Sequence, residues 1–196
     1  VALGTIADVV SLDYNNRILV EGGLRRIRQG KASPGVESLI NISCRDFEEI
    51  VSSDLGFALG PRLNAAGRLD DMSLGIECLL SSDSSHAKTL AIQLDKLNRE
   101  RRSLQEEMTA VEKLKEAIAK DMGTYGKKEV KKAIESGAGE EMLILAEKTR
   151  TDEGRKLLNL AEKNRTNVIE ISSHHHGGEM LNGLGDIAVI LRYRMT

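Results

Sequence analysis

The sequence predicts an α/β protein in three parts: a mainly helical first part with one N-terminal strand, a long connector helix, and a small α/β/α sandwich. Three observations support this. Apolar residues follow helical spacing after an apolar opening run, residues 84–121 contain neither glycine nor proline, and later residues alternate short apolar runs with amphipathic ones. The predicted domain boundaries are 1–83, 84–121 and 122–196.

The first part is predicted to hold one buried strand and several helices. The opening run Val1–Val10 is continuous and rich in β-branched residues, as in the strands of a buried parallel sheet. Capping residues or a first-turn proline indicate the helix starts, and Gly30 indicates one helix end. The predicted starts are Asn15 or Asn16, Ser33-Pro34, Asp46 (running into Leu55–Leu59) and Ser73.

The connector is predicted to be one continuous helix. Its apolar residues recur every seven positions, while Arg101 and Lys115 interrupt the neighbouring stripe that holds Leu94 and Met108. This interruption favours an intrachain connector over a coiled-coil dimer. The sevenfold series is Leu90, Leu97, Leu104, Val111 and Ile118.

A charge cluster, Arg99–Arg102, lies within this helix. It is either a solvated face that pairs with Asp95 and Glu106 or a contact for the backbone of single-stranded DNA. Its glutamates weaken the positive field, which favours the solvated face.

The third part is predicted to alternate helices with three apolar strands, and its roughly 75 residues are expected to fold unaided. Its basic residues Lys127, Lys128, Lys131 and Lys132 either contact nucleic-acid phosphates or pair with nearby glutamates. The predicted elements are the helix Lys127–Ser136, the strand Met142–Leu145, the helix Asp152–Asn164 capped by Thr151, the strand Val168–Ile171, the helix Gly178–Leu184 and the strand Ile187–Tyr193.

The composition is that of a protein with an aliphatic core. Hydrophobic residues make up 40% and aromatic residues 3% of the chain, and the net charge of −2 gives no overall attraction to nucleic acid. Cys44 and Cys78 lack metal-ligand spacing and are expected to be reduced thiols of a cytoplasmic protein. No apolar run has the length of a membrane span, and no signal peptide is evident, so no membrane contact is expected.

The stretch Gly56–Met72 carries the candidate binding residues of the first part. Its small residues allow a backbone to approach a ligand, and its arginines suit phosphate. Arg62, Asn64 and Arg68 are therefore predicted to bind phosphate or nucleic acid from a short loop. Alternatively, the stretch is a helix connection whose arginines pair with Asp70 and Asp71.

Three motifs in order, VALGTIADVV, GFALGPRLNAAGRLDDM and LDKLNRERR, resemble the RecJ single-strand exonucleases of the DHH phosphoesterase superfamily over residues 1 to about 115. The resemblance implies two metal ions, Mn or Mg, with Asp8 as one ligand. Ser11 replaces a proline usual in the family. The family's other ligands precede the strand on which this chain begins, so the catalytic set is incomplete and the chain alone is not expected to bind the metals.

Residues from about 117 to 196 resemble the C-terminal domain of pelota and archaeal-type release factors, through TYGKKEVKKAIESGA and GGEMLNGLGDIAVILRY. This resemblance implies a non-enzymatic domain that contacts a translational GTPase or a recycling ATPase. Gly139 replaces a usual β-branched residue. The run His174–His176 replaces an acidic residue, a histidine and an acidic residue; it is either a chelating site or, as favoured, incidental surface histidines.

The leading functional hypothesis is a hybrid or fragment derived from a 5′-to-3′ single-stranded-DNA exonuclease, inactive alone and binding single-stranded DNA only weakly. The alternative is a non-catalytic interaction module of translation termination or ribosome rescue. A third hypothesis is a scaffold without a ligand.

Overall fold

The computed structural model describes residues 1–67 and 72–195, and the chain divides into two compact units, Val1–Arg102 and Ser103–Thr196. A mainly helical α/β fold with one long helix and a four-stranded sheet is confirmed. Within the described ranges, no helix combines the length and the apolar character that a membrane crossing requires.

Over its described residues, the first unit contains helices joined by turns and loops, and no strand. The N-cap of α2 is Asp13, whose carboxylate accepts a 2.8 Å hydrogen bond from the Asn16 backbone N–H. The predicted caps, Asn15 or Asn16, lie two or three residues too late. Gly30, at φ +66°, follows the same helix as predicted. The helices are α1 (Ala2–Ala7), α2 (Tyr14–Arg28), α3 (Pro34–Ile42), α4 (Ser52–Asp54), a π-helical turn (Leu55–Leu59), α5 (Gly60–Gly67), α6 (Ser73–Leu80) and the start of α7 (Ser84–Ala119).

The predicted N-terminal strand Val1–Val10 is wrong, because residues Ala2–Ala7 form helix α1. A strand needs a neighbour to satisfy its backbone groups, and the described part of the first unit supplies none. A helix satisfies these groups within the segment. The Thr5 N–H donates to the Val1 carbonyl at 2.9 Å, and the Asp8 N–H donates to the Gly4 carbonyl at 3.0 Å.

The predicted loop Gly56–Met72 is wrong over residues 56–67, which belong to the π-helical turn and to α5. Small residues here serve packing, since Ala65 and Ala66 are both 2% exposed. The predicted helix start at Asp46 is also too early. The Asp46 carboxylate accepts from the Glu48 N–H within a turn, and α4 begins at Ser52.

The core of the first unit is built from aliphatic side chains of all its longer helices. Leu39, Leu55, Leu59 and Leu94 are completely buried there. Gly35 lets α3 approach α6 closely, because a Cβ atom at this position would overlap the carbonyl oxygen of Cys78.

Helix α7 contributes to both units, and its predicted continuity over the connector is confirmed. Leu90 and Leu94 belong to the first core, whereas Val111 and Leu114 belong to a core of the second unit. Between Leu94 and Val111, the residue of the sevenfold series is not buried, since Leu104 is 40% exposed. The apolar pattern therefore reflects two separate cores.

The second unit contains a mixed sheet in the order β1-β4-β2-β3. Strands β2 and β3 are parallel, and β4 pairs antiparallel with both β2 and β1. The three predicted strands are present, but the short β1 was missed. The elements after α7 are β1 (Gly123–Tyr125), α8 (Lys127–Glu135), β2 (Gly139–Leu145), α9 (Ala146–Thr149), α10 (Asp152–Lys163), β3 (Asn167–Ile171), α11 (His176–Gly183) and β4 (Ile187–Leu191).

Helices cover both faces of this sheet, as the sandwich prediction requires. Successive β2 residues alternate between two cores: Met142 and Ile144 pack with α8 and α10, whereas Leu143 and Leu145 pack with α7 and α11. The Thr151 hydroxyl caps α10 by accepting from the Gly154 N–H at 3.0 Å, as predicted.

We expect Leu114→Ala to destabilise the second unit by about 2–5 kcal/mol, because it removes a completely buried side chain from the layer between α7 and the sheet. Hydrogen exchange of the β2 amides measures the loss. Leu104→Ala on the same helix is the matched control and should change stability by less than about 0.5 kcal/mol. Equal effects of the two substitutions would contradict the three-layer packing.

Candidate functional site

In the first unit, Arg62 is held in a polar cluster between α5 and α7. Its Nε donates to Asp95 Oδ1 at 2.8 Å, and its Nη1 donates to the Ala58 carbonyl at 2.5 Å. Arg99 Nη2 contacts the other Asp95 oxygen at 2.6 Å. The Asp95 side chain is only 6% exposed, so this carboxylate is buried between two guanidinium groups.

This cluster gives Arg62 a structural role, as the helix-connection alternative predicted. Its carboxylate partner among the described residues is Asp95, while Asp70 and Asp71 lie outside the described residues. A buried carboxylate is costly unless it is paired, and removing one partner leaves that cost uncompensated. One carboxylate facing Arg62 and Arg99 leaves a local excess of positive charge. The site therefore remains compatible with an anion, although part of the Arg62 guanidinium is occupied.

The other predicted phosphate-binding residues are placed differently. Asn64 is exposed on α5, and side chains two positions apart on a helix do not face one another, so Asn64 and Arg62 point in different directions. Arg68 lies outside the described residues. Phosphate binding by these three residues stays a prediction.

Asp8, the predicted metal ligand, is exposed and follows the last residue of α1. That end of α1 lies against the start of α5, since a Cβ atom built on Gly60 would be 3.2 Å from the Ala7 Cβ. Over residues 1–67 and 72–195, no three His, Cys, Asp or Glu side chains are grouped closely enough to hold a metal ion. A pair of divalent ions needs several carboxylates, so these residues do not fit such a centre on their own.

Cys78 is buried against the first core, and burial raises the pKa of its thiol. The thiolate is the reactive form of cysteine, so this environment disfavours a nucleophilic role. Cys44 is exposed and unpaired.

In the second unit, His175 is an N-cap that also bridges α11 to α7. Its Nδ1 accepts from the backbone N–H groups of Gly177 and Gly178 at 3.1 and 3.4 Å. Its Nε2 lies 2.9 Å from Glu107 Oε2, which also accepts from the Ser172 N–H at 2.7 Å. Because Nδ1 accepts, Nε2 carries the proton that is donated to Glu107.

The hypothesis of incidental surface histidines therefore fails for the middle residue of the run. The His175 side chain is 15% exposed, whereas that of His176 is 86% exposed. A histidine two positions before a pair of glycines at a helix start was the available signal, but its partner Glu107 lies 68 positions earlier. Gly178 is also required sterically, because a Cβ atom there would overlap the Ser172 carbonyl oxygen.

Helices α8 and α10 border an open groove of about 640 Å³ with Leu157 and Leu160 in its lining. Two of the predicted basic residues pair with glutamates: Lys127 with Glu153 at 2.7 Å and Lys131 with Glu135 at 3.6 Å. This supports the paired alternative for half of the basic stretch. Close to the first of these pairs, Lys148 Nζ lies 2.9 Å from Asp186, whose carboxylate raises the pKa of Lys148.

We expect His175→Ala to destabilise the second unit by about 1–2 kcal/mol, the cost of losing an N-cap with its bonded partner. His175→Asn should recover part of the loss, because its side-chain oxygen can still accept from the helix N–H groups. Urea unfolding followed by circular dichroism measures both. The exposed neighbour provides the control, and a similar loss in His176→Ala would contradict the capping role.

Comparison with known proteins gives two resemblances. The chain is 62% identical over 105 residues to the single-stranded-DNA-specific exonuclease RecJ of Dickeya dadantii, covering 54% of this chain and 18% of that protein. A crystal structure of RecJ bound to manganese shares the fold, with a TM-score of 0.50 and 24% identity over 87% of this chain and 39% of that chain.

The second resemblance concerns the second unit. The family of eRF1 domain 3 matches residues 104–195. The pelota homologue of Pyrococcus horikoshii is 43% identical over 106 residues, covering 52% of this chain and 30% of that protein. The crystal structure of Archaeoglobus fulgidus Pelota has a TM-score of 0.51 and 30% identity, covering 58% of this chain and 38% of that chain.

These matches confirm the predicted resemblance to RecJ in one part of the chain and to pelota and release factors in another. The chain spans less than a fifth of the RecJ protein of Dickeya dadantii and less than a third of the pelota homologue of Pyrococcus horikoshii.

Proposed function

We propose that residues 103–195 act as a non-catalytic interaction domain of the translation-termination and ribosome-rescue type, which binds a translational GTPase or a recycling ATPase. One observation carries this proposal: the segment that matches eRF1 domain 3, residues 104–195, coincides with the compact unit Ser103–Thr196. A matched segment that coincides with a whole folding unit is a transferable module, because its binding surface travels with its core.

The packing of the unit supports this function. Helices cover both faces of the sheet, so a binding surface is presented by the outer sides of those helices, by the loops or by the sheet edges β1 and β3. The contacts of His175 with Glu107 and with the α11 N-terminus are made within the unit. They hold a surface in place rather than supply free catalytic groups.

The ribosome-bound complex of archaeal Pelota and ABCE1 supplies the probe. We expect the purified chain to bind archaeal ABCE1 in calorimetry, and archaeal pelota to compete for the same site. Binding should be weaker than that of intact pelota by about 100-fold or more, since a single module lacks the gain from linked contacts. Binding that pelota does not displace, or no binding at protein concentrations of about 100 μM, would contradict the proposal.

A second function is supported by the 62% identity to RecJ. We propose that residues 1–102 are a RecJ-derived fragment that binds single-stranded DNA weakly and does not degrade it without further chain. The positive charge around Arg62 and Arg99 supports binding. Asp8 is the one residue that the resemblance assigns to the metal ions, and a two-metal hydrolysis needs a larger set of carboxylates.

We expect a 5′-phosphorylated single-stranded oligonucleotide to bind the chain at low salt and to remain intact after incubation with Mn²⁺. Asp8→Ala should change neither result. Fluorescence anisotropy measures binding, and gel electrophoresis measures the length of the DNA. Degradation that Asp8→Ala abolishes would show that this chain has a complete active site; degradation that survives the substitution would place an active site elsewhere.

A further inference from the structure

The second unit has a groove on its outer surface between α8 and α10, the two helices that pack on the same face of the sheet. Leu157 and Leu160, about one turn apart on α10, form an apolar strip in the lining of this groove. Leu157 is 8% exposed and belongs to the core below, and Leu160 is partly exposed. The other lining residues are four lysines and three carboxylates.

The free charge of this α8/α10 groove is positive and comes from both of its walls. Lys128 on α8 and Lys156 on α10 are exposed and form no ion pair with any residue in the ranges 1–67 and 72–195. The three carboxylates of the lining are each already paired with a cation. These pairs, at 2.7, 3.6 and 3.8 Å, are Glu153 with Lys127, Glu135 with Lys131 and Asp152 with Arg155.

An apolar strip between two free cations indicates the kind of ligand. A small-molecule pocket needs polar groups that converge and are held in place, whereas the free cations here are exposed side chains on two separate helices. A nucleic-acid backbone carries a charge at every link and no apolar group that would cover the leucines. A peptide helix with one apolar side covers them, because helix-in-groove recognition buries apolar residues spaced three and four positions apart.

We propose that the α8/α10 groove binds an acidic amphipathic helix of a partner protein. This inference rests on the proposed interaction function of residues 103–195 and adds to it the surface and the chemistry of the docking segment. The apolar side of the helix covers Leu157 and Leu160, and its Asp or Glu residues pair with Lys128 and Lys156. Because each wall has one free lysine, the acidic residues are expected on both sides of the apolar stripe.

The same two helices supply a matched control. Lys132 on α8 and Lys163 on α10 are also exposed, form no ion pair within the described residues, and lie outside the lining of the groove. Reversing these two charges changes the net charge of the unit by the same amount as reversing Lys128 and Lys156. A difference in binding between the two double variants therefore reports the position of the charge rather than the net charge.

The test uses the full chain and a fluorescent synthetic peptide with leucines at positions i, i+3, i+4 and i+7 and glutamates on both sides of that stripe. We expect a dissociation constant of about 10–100 μM at low salt, measured by fluorescence anisotropy. Lys128→Glu/Lys156→Glu should weaken binding by about tenfold or more, and Lys132→Glu/Lys163→Glu by less than about twofold. Circular dichroism checks that each variant is folded.

A second peptide, with lysines in place of the glutamates, provides the reciprocal test. It should bind Lys128→Glu/Lys156→Glu more tightly than the wild-type chain, because exchanging the charges on both partners restores the pairing. Equal affinity of the two double variants for the acidic peptide would overturn the inference. An acidic peptide with alanines in place of its leucines that binds as tightly as the original would overturn it as well.

Archaeal ABCE1 distinguishes this inference from the proposed function. ABCE1 that binds the wild-type chain and both double variants equally would overturn the inference and leave the proposed function intact. A wild-type chain that binds no ABCE1 would contradict the proposed function, while the peptide measurements still decide whether the groove takes an acidic helix. An oligonucleotide that displaces the peptide, or self-association that Lys128→Glu/Lys156→Glu abolishes, would assign the groove to nucleic acid or to a second copy of this chain, and either result would overturn the inference.

Discussion

The continuity of helix α7 is the constraint on which the rest of the structure depends. One uninterrupted helix of 36 residues provides buried side chains to two cores, and its backbone contains neither glycine nor proline. Helix formation is cooperative, so the two halves of α7 support each other even where the middle of the apolar stripe is exposed.

The same helix also carries the polar contacts of both units. Asp95 binds Arg62 in the first unit, and Glu107 binds His175 in the second. Each contact fixes a shorter helix, α5 or α11, by a charged or polar hydrogen bond at the edge of an apolar interface. Such contacts fix the orientation of a helix more than they increase the free energy of unfolding, because the cost of burying the carboxylates offsets much of the attraction.

Helix ends and the length of the long helix could be predicted from the sequence, because capping residues and apolar periodicity are properties of neighbouring residues. Pro34, Gly30 and Thr151 indicated helix ends correctly, and the periodicity of α7 indicated its length. Val1–Val10 was assigned wrongly, because an apolar run suits a buried helix as well as a strand. Strand β1 was missed because three residues carry too little pattern, and its pairing with β4 is 60 or more positions away.

The candidate sites were predictable only as residue types. The arginine-rich motif around Arg62 was recognised, yet its partner Asp95 lies 33 positions later, and Glu107 lies 68 positions before His175. The prediction that Asp8 is a metal ligand depended on resemblance alone. The structure shows an exposed Asp8 side chain, which neither supports nor excludes that role.

The order of the sheet has a consequence for how this protein avoids unwanted assembly. Its two edges are β1 and β3, since β4 and β2 occupy the centre. The β1 edge is three residues long and ends at Gly126, which turns the chain at φ +82°, so it offers a poor template for an incoming strand. The β3 edge is longer, and its exposed Glu170 places a charge where an added strand would lie. Conditions that neutralise this carboxylate would weaken the barrier to edge-to-edge polymerisation.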